Sequence, residues 1–561
     1  MKPKIAVATV AGAILVAACG GSDDAFELPQ LAQASGANLG SCAALANFTY
    51  ANTTVTSAAA VAAGTLTVGG MPIPSHCKVT GTMFPRTSAV DGQSYAIGWE
   101  MRLPDAWNGR FFYQANGGTD GNVSTAVGAT GGGPVTNALL QGFAVISSDA
   151  GHSAAQNPVF GIDPQARLDY GYQAVGKLTP MAKALVAAGY GKGPDRSYIG
   201  GCSNGGRHTM VAIERYASDY DGYLVGDPGT VLPHAALANV AGAQVYATLA
   251  TNPADISTGF TLAERQLVSN AVLAKCDALD GATDGLIQAT KACQAAFDLN
   301  RDVPTCAGAR DGTCLSAEQK TAIGGLFAGA KLSSGQLIYS TWPWDAGLGT
   351  GGWAFWKFTV PLILDSGALG FIWQVPPADP ATFNGANFAL TSNIDTLYQK
   401  IHATDATYTE DSLSFMSPPN LARADGVRNR GAKVMIYHGT SDPIFSSDHS
   451  VSVWEGWNQA YGATASNFAR VFLVPGMNHC SGGPSTDQFD MLTPLVNWVE
   501  KGQAPDSVVA TARGAGNAGG VNADVPAAWA ANRTRPLCAY PKVAHYNGSG
   551  SLEDAGSFTC Q

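Results

Sequence analysis

Residues 201–206 read Gly-Cys-Ser-Asn-Gly-Gly, and this G-x-S-x-G run restricts the possible folds more than any other stretch of the chain. It is the signature of a tight turn that lifts a serine, here Ser203, off a strand and onto the first turn of a helix. The flanks agree. Residues 197–200 (SYIG) suit a short buried strand, and residues 207–216 (RHTMVAIERY) set Met210, Val211, Ile213 and Tyr216 at helical spacing. The glycines have a steric task, because such a turn packed between strand and helix leaves little room for a Cβ. In a chain with 67 glycines the pentapeptide also arises by chance. Its weight therefore rests on the flanking elements and on partners further along.

The rest of the first half supplies a matching frame. Residues 42–85, rich in Thr, Val, Ala and Gly, predict short strands and turns, and residues 95–103 alternate as a strand should. After a turn at Trp107-Asn108-Gly109 comes the strand 110–114, which runs straight into a glycine-rich loop, 116–121 (NGGTDG). Backbone N–H groups of such a loop can face an oxyanion. Residues 142–147 read as a buried strand, 169–189 as a helix that Pro180 should kink or split, and 222–226 as the strand after the serine turn. This alternation is that of a parallel sheet with helices on both faces. From about 230 to 423 the rhythm is lost, and strands return at 433–437 and 469–474. The reading is an α/β-hydrolase fold, with a catalytic domain over 41–228 and 425–561 and a lid over 229–424. With 561 residues, more than one core is expected.

Lys2 and Lys4, the apolar run 5–16 and Val-Ala-Ala-Cys at 16–19 read as a secretory signal over 1–18 whose end resembles a bacterial lipobox, with Cys19 as the lipidated residue. Gly20 after it resembles the sorting pattern of outer-membrane lipoproteins. The mature chain is then an outer-membrane-anchored or secreted protein, with a tether over 19–40 and no other membrane contact. Net charge is −10 with no Lys/Arg cluster, which excludes electrostatic nucleic-acid binding. A monomer is expected. Of eleven cysteines, ten remain after Cys19, an even number suited to disulfides in an exported chain. Neighbours in sequence suggest Cys276–Cys293, Cys306–Cys314, Cys538–Cys560 and Cys42–Cys77, although spacing alone leaves the connectivity open. Cys202 and Cys480 are left over.

A nucleophilic serine needs a base, and the base needs an acid to hold it. The strand 433–437 runs into His438-Gly-Thr-Ser-Asp442, and the strand 469–474 runs into Pro475-Gly-Met-Asn-His479-Cys480. Asp442 and His479 thus follow Ser203 in the order acid, then histidine, each on a loop after a late strand. His438 shares the loop of Asp442 and is assigned to shaping the substrate site rather than to acting as base. If Ser203 and His479 meet, the neighbouring Cys202 and Cys480 come within disulfide reach.

At these residues the chain resembles the tannase/feruloyl esterase family, whose mark is a Cys-Ser, Asp, His-Cys arrangement. The resemblance extends from about Cys42 to Gln561 through Trp107-Asn-Gly-Arg-Phe-Phe112, Asp163-Pro-Gln-Ala-Arg-Leu-Asp169, Cys276-Asp-Ala-Leu-Asp-Gly281, Val474-Pro-Gly-Met-Asn-His-Cys-Ser-Gly-Gly483 and Arg535-Pro-Leu-Cys538. It implies a serine esterase acting on a small aromatic ester, with the five disulfides above and Cys202–Cys480 among them. It also implies oxyanion donors at Gly118 and Asn204; Asn204 stands where the family carries a different polar residue, which a backbone donor tolerates. The loop from Asp277 to Leu286 resembles the family's calcium site, with Asp277, Asp280, Ala282, Asp284 and Leu286 as ligands. Three carboxylates in one short Gly-containing loop suit a hard cation, and the loop lacks the distal Glu of an EF-hand. No redox cofactor is implied. Phe445 matches an aromatic substrate wall, and the cluster of Trp353, Phe355, Trp356, Phe371 and Trp373 offers rings to stack on an acyl group. In a terephthalate-monoester hydrolase of the family a lid arginine pairs with the substrate carboxylate. Residues 353–373 contain no arginine, and Lys357 is the candidate substitute, a poorer bidentate match. Two alternatives remain: terephthalate-monoester hydrolysis proper, and a non-catalytic lipoprotein that binds aromatic ligands.

Overall fold

The structure is a computed structural model that describes residues 28–561. The signal segment 1–18, Cys19 and the first residues of the expected tether lie outside the described residues. Nine strands form the central sheet: β1 (Thr53–Val61), β2 (His76–Thr87), β3 (Ser94–Pro104), β4 (Arg110–Gln114), β5 (Ala144–Ser148), β6 (Arg196–Cys202), β7 (Gly222–Gly226), β8 (Lys433–Gly439) and β9 (Ala469–Val474). Their order across the sheet is β9-β8-β7-β6-β4-β5-β3-β2-β1. The six strands from β9 to β5 are parallel to their neighbours, whereas β3, β2 and β1 join antiparallel.

Side-chain alternation explains why this sheet is covered on both faces. Phe111, Tyr113, Val434 and Ile436 point to one face, where they pack with the helices α1 (Ala174–Tyr190) and α2 (Asn204–Arg215). Phe112, Tyr198, Met435 and Tyr437 point to the other, against the C-terminal part of the chain. The strands β5, β7 and β8 are buried along their whole length, so their sequences are near-continuous apolar runs. The register sets Cys202 opposite Gly226, Gly226 opposite Tyr437 and Gly439 opposite Val474. The loops after β6, β7, β8 and β9 therefore leave one edge of the sheet side by side, which is where open α/β sheets carry their sites.

Three expectations need adjusting. Residues 42–85 carry the short strands Thr67–Val68 and Met71–Pro72 as expected, but most of the segment is taken by two long strands, β1 and β2. Helix α1 runs unbroken through Pro180; burial of Leu178, Met181, Ala182 and Leu185 carries it past the missing hydrogen bond, and the wide π-type turn lies before it at Asp169–Gln173. The described part of the tether is laid along the body: Ala37–Asn38 pairs with Ala106–Trp107, and the Ala34 N–H donates to Glu500 Oε2 at 2.9 Å. Glu500 is a buried carboxylate already held by Arg110 and Tyr198, so it anchors this segment firmly. Beyond β9 a three-stranded antiparallel sheet forms from Gln488–Phe489, Ser507–Thr511 and Thr534–Cys538, with a further pair at Ala544–Tyr546 and Phe558–Cys560. These strands are short, and their alternation is too brief to read from sequence.

Between β7 and β8 the described chain adds no strand to the central sheet. It is mainly helical, and Tyr246, Phe260, Val268, Val272, Leu348, Trp353 and Phe358 form a packed cluster there. Its run Gly351–Ala354 continues into three π-type turns, Phe355–Thr359, Pro361–Asp365 and Ala368–Trp373. All five disulfides are formed as paired above, including Cys202–Cys480 with Cα atoms 6.0 Å apart.

Candidate active site

Ser203 occupies a strained backbone position, φ 66° and ψ −125°, between the end of β6 and the start of α2. Non-glycine residues seldom adopt such angles, and they persist only where the surroundings impose them. The surroundings here are glycines. A Cβ on Gly201 would stand 2.2 Å from the Ala115 carbonyl oxygen, one on Gly205 would stand 2.3 Å from the same atom, and one on Gly206 would stand 2.3 Å from Gly226 O. The turn thus packs against the loop after β4, and a Cβ on Gly117 would lie 3.8 Å from that of Ser203. Gly117 and Gly118 are exposed, and Gly118 has φ 63°, so this loop presents its backbone beside the serine.

His479 Nδ1 lies 2.7 Å from Asp442 Oδ2, and both side chains are buried. The acceptor oxygen assigns the proton to Nδ1, which leaves Nε2 as the basic atom; among the described residues Nε2 has no hydrogen-bond partner. Asp442 Oδ1 accepts the N–H groups of Ile444 and Phe445. Burial pushes the Asp442 carboxyl up, but the imidazoles of His479 and His438 outweigh it and hold the group well below the usual range. The Cys202–Cys480 bridge joins the residue before Ser203 to the residue after His479. Cys480 itself has φ 62°, so the histidine loop is as constrained as the serine turn.

Sequence reasoning missed two carboxylates. Asp227, at the end of β7 with φ 35°, is fully buried and accepts the Gly439 N–H at 2.7 Å. Burial, then the proximity of Asp442, pushes it up to about 7. Its positive φ is a tertiary property that no residue spacing announces. Asp345 Oδ2 accepts from the hydroxyls of Thr440 and Ser441 and from the Gly476 N–H. With Gly347 N donating to Ser441 Oγ (2.9 Å) and Thr350 Oγ1 to Asn478 Oδ1 (2.6 Å), the inserted segment clamps the loops of both Asp442 and His479.

His438 was expected at the substrate, but it is fully buried behind Asp442, with Nε2 3.0 Å from Phe445 O and Nδ1 2.8 Å from Ser450 Oγ. It lies 3.4 Å from Asp442 and 3.8 Å from Asp227. Burial opposes its charge, yet these carboxylates raise its pKa. The aromatic candidates divide. Trp356 and Phe445 set their rings edge-on to His479, at 4.6 and 5.3 Å. Phe355 is 47% exposed against Trp356. Trp353 packs on Phe260 and Phe358, Phe371 on Phe383, and Trp373 in the apolar cluster that includes Ile444 and Phe445; all three are buried as core. Lys357 is already engaged: its ammonium donates to Pro443 O at 2.7 Å and sits 3.7 Å over the Trp342 ring. Burial lowers it to about 7.

In the loop 277–286 Asp277 accepts the N–H groups of Asp284 and Gly285, and Asp280 Oδ1 accepts that of Ala282. Among the described residues Asp280 Oδ2 is buried without a partner, and burial together with Asp284 and Asp277 pushes this carboxyl up to about 7. The unpartnered oxygen of Asp280 in this tight loop fits a hard divalent cation. One oxygen of Asp284 pairs with Arg535, a residue the sequence reading had placed only within a motif.

Residues 77–561 match the family model described as tannase and feruloyl esterase. The chain is 40% identical over 532 residues, 88% of its own length and 86% of the relative's, to mono(2-hydroxyethyl) terephthalate hydrolase of Piscinibacter sakaiensis. It is 28% identical to a probable feruloyl esterase B-1 of Aspergillus fumigatus, over 84% of each chain. Among solved structures, feruloyl esterase B from Aspergillus oryzae superposes with a TM-score of 0.73 at 23% identity, covering 93% of this chain and 99% of that one. Tannin acyl hydrolase from Aspergillus niger superposes with a TM-score of 0.64 at 19% identity, covering 91% and 92%. These two structural likenesses establish a shared fold.

Proposed function

The chain belongs to the tannase and feruloyl esterase family, and on that premise we propose that it hydrolyses aromatic carboxylic esters through a serine acyl-enzyme. Ser203 Oγ attacks the ester carbonyl while His479 Nε2 takes its proton. Asp442 holds the imidazole in the reactive tautomer and balances its charge. The N–H groups of Gly118 and Asn204 receive the developing oxyanion. Collapse expels the alcohol, protonated by His479, and a water activated by the same nitrogen releases the aromatic acid. The observation that carries this reading is the His479–Asp442 contact of 2.7 Å, tied to Ser203 through Cys480 and Cys202. A phosphonylating reagent should label the protein once per chain at Ser203 and not label Ser203→Ala; labelling of that variant, or undiminished turnover by it, refutes the assignment.

Trp356, Phe445 and the exposed Phe355 form the wall for the aromatic acyl group, under a lid made by the segment between β7 and β8. The engagement of Lys357 with Pro443 O leaves that lysine unsuited to a substrate carboxylate, so neutral esters are preferred over acid monoesters. The likeness to a terephthalate-monoester hydrolase favours a second reading, in which the acid monoester is the better substrate. A kinetic panel of galloyl, feruloyl and terephthaloyl esters, with acid monoesters set beside neutral diesters, decides between them. Asp277, Asp280 and Asp284, with the carbonyls of Ala282 and Leu286, hold a structural calcium ion; metal analysis of protein never exposed to chelator tests this. Five disulfides accord with an oxidising compartment, and the chain is exported with Cys19 as its lipid attachment; mass spectrometry of the mature N-terminus tests the anchor.

A further inference from the structure

Gly118 and Asn204 stand on different segments, the loop after β4 and the first residue of α2. An oxyanion hole works only when both N–H groups reach one oxygen at about 2.7–3.1 Å, without rearranging during the reaction. Something must therefore register the loop against the helix. The loop carbonyls fix it to the body of the protein: Tyr170 Oη donates to Gly118 O (3.3 Å), His152 Nε2 to Thr119 O (2.8 Å) and Asn157 Nδ2 to Asp120 O (3.0 Å). Only one charged group of the loop reaches the helix. Asp120 Oδ2 accepts from Asn204 Nδ2 and from His208 Nε2, each at 2.9 Å, so a single oxygen grips two residues one turn apart.

The arrangement is built in depth. The Asp120 side chain is 2% exposed, Asn204 is 2% exposed and Arg207 is fully buried. Arg207 Nε donates to Asn204 Oδ1 at 2.6 Å, which turns the amide so that its Nδ2 faces Asp120. Asp120 adopts φ 55°, a left-handed conformation held by these contacts. Resting on the proposed roles of Gly118 and Asn204, we propose that Asp120 is the positioning residue of the oxyanion hole, registering the Gly118 and Asn204 N–H groups through its grip on Asn204 and His208.

Asp120→Asn removes the negative charge that strengthens both bonds and puts an NH2 where Oδ1 stands, so its one carbonyl oxygen grips the two donors more weakly. Asn204→Ala keeps the backbone N–H but removes the tie. Each variant should lower kcat by about 10- to 100-fold, less than full loss of an oxyanion donor, with KM within about threefold. Affinity for an arylboronic acid, which forms a tetrahedral adduct on a catalytic serine, should fall by the same factor. Affinity for the aromatic acid product should stay within about twofold. The double variant should lose little more than either single one, as expected for residues of one network. Asp120→Asn with unchanged kcat and boronate affinity overturns the proposal, as does equal loss of boronate and product affinity, which marks general loosening. If Asp120→Asn does not fold, Asn204→Ala decides alone by the same criteria. Failure of the serine mechanism is separate: it appears as turnover or boronate binding retained by Ser203→Ala, whatever Asp120→Asn does.

Discussion

Removing the Cys202–Cys480 bridge, as Cys202→Ser with Cys480→Ser, tests how the catalytic groups are held together. The bridge closes a separation of 278 residues. Chain entropy alone gives about 5.6 kcal/mol for a loop of that length, a ceiling, since measured effects cluster near 2–4 kcal/mol. The smaller bridges inside the loop change this little, because the dependence on length is logarithmic. The catalytic effect follows from the sheet. Strands β6 and β9 are separated by β7 and β8, so their axes lie about 14 Å apart at the usual strand spacing. The two cysteine Cα atoms are nevertheless 6.0 Å apart, so the loops lean toward each other over the ends of the intervening strands. Without the bridge this convergence rests on hydrogen bonds and side-chain packing, and a drift of about 1 Å between nucleophile and base costs roughly 100-fold in rate. We expect kcat on a neutral aryl ester to fall by about that factor, with KM within about threefold because Trp356 and Phe445 keep their places. The assay is run well below the variant's thermal midpoint, with circular dichroism confirming that it is folded. A folded double variant with kcat within twofold of the parent refutes the reasoning.

Asp442→Asn should lower kcat by about 10³- to 10⁴-fold and slow phosphonylation in step, because His479 loses the acceptor that fixes its tautomer; stopped-flow acylation measures both. Gly201→Ala puts a Cβ 2.2 Å from Ala115 O and 2.9 Å from Gly205 Cα, both backbone atoms, so denaturant titration should show a loss of about 3 kcal/mol or a chain that does not fold. Lys357 is lowered to about 7 from an unfolded value near 10.4. Between those values the unfolded chain binds the extra proton, so stability rises with pH by up to about 1.4 kcal/mol per unit and is lost as pH falls through 7. Lys357→Met should flatten that part of the stability–pH curve; an unchanged slope in urea titrations from pH 7 to 10 counts against it.

The strands 110–114 and 469–474 and the serine turn were legible because each combines a local pattern with a local purpose: apolar runs bounded by turns, and glycines where a Cβ would strike backbone. The pairing of Asp442 with His479 was legible because both end strands in an order the chemistry requires. The substrate wall was not. Trp353, Phe371 and Trp373 look like Phe355 and Trp356 in sequence, and only packing separates buried rings from those beside His479. His438 misled for the same reason, since a histidine at a strand end reads alike whether it faces the site or the core.

By itself the sequence determined the sheet that carries the site and the triad candidates, because those depend on residue type at local spacing, whereas the family and the cysteine pairing came from the resemblance of its motifs. Tertiary structure alone decided what holds the site in register. Asp120 gripping Asn204 and His208, Asp345 clamping two catalytic loops, and Lys357 turned onto Pro443 O join residues roughly 80 to 130 positions apart. No periodicity marks such contacts. They exist because a buried carboxylate or ammonium must find hydrogen-bond partners wherever the folded chain brings them.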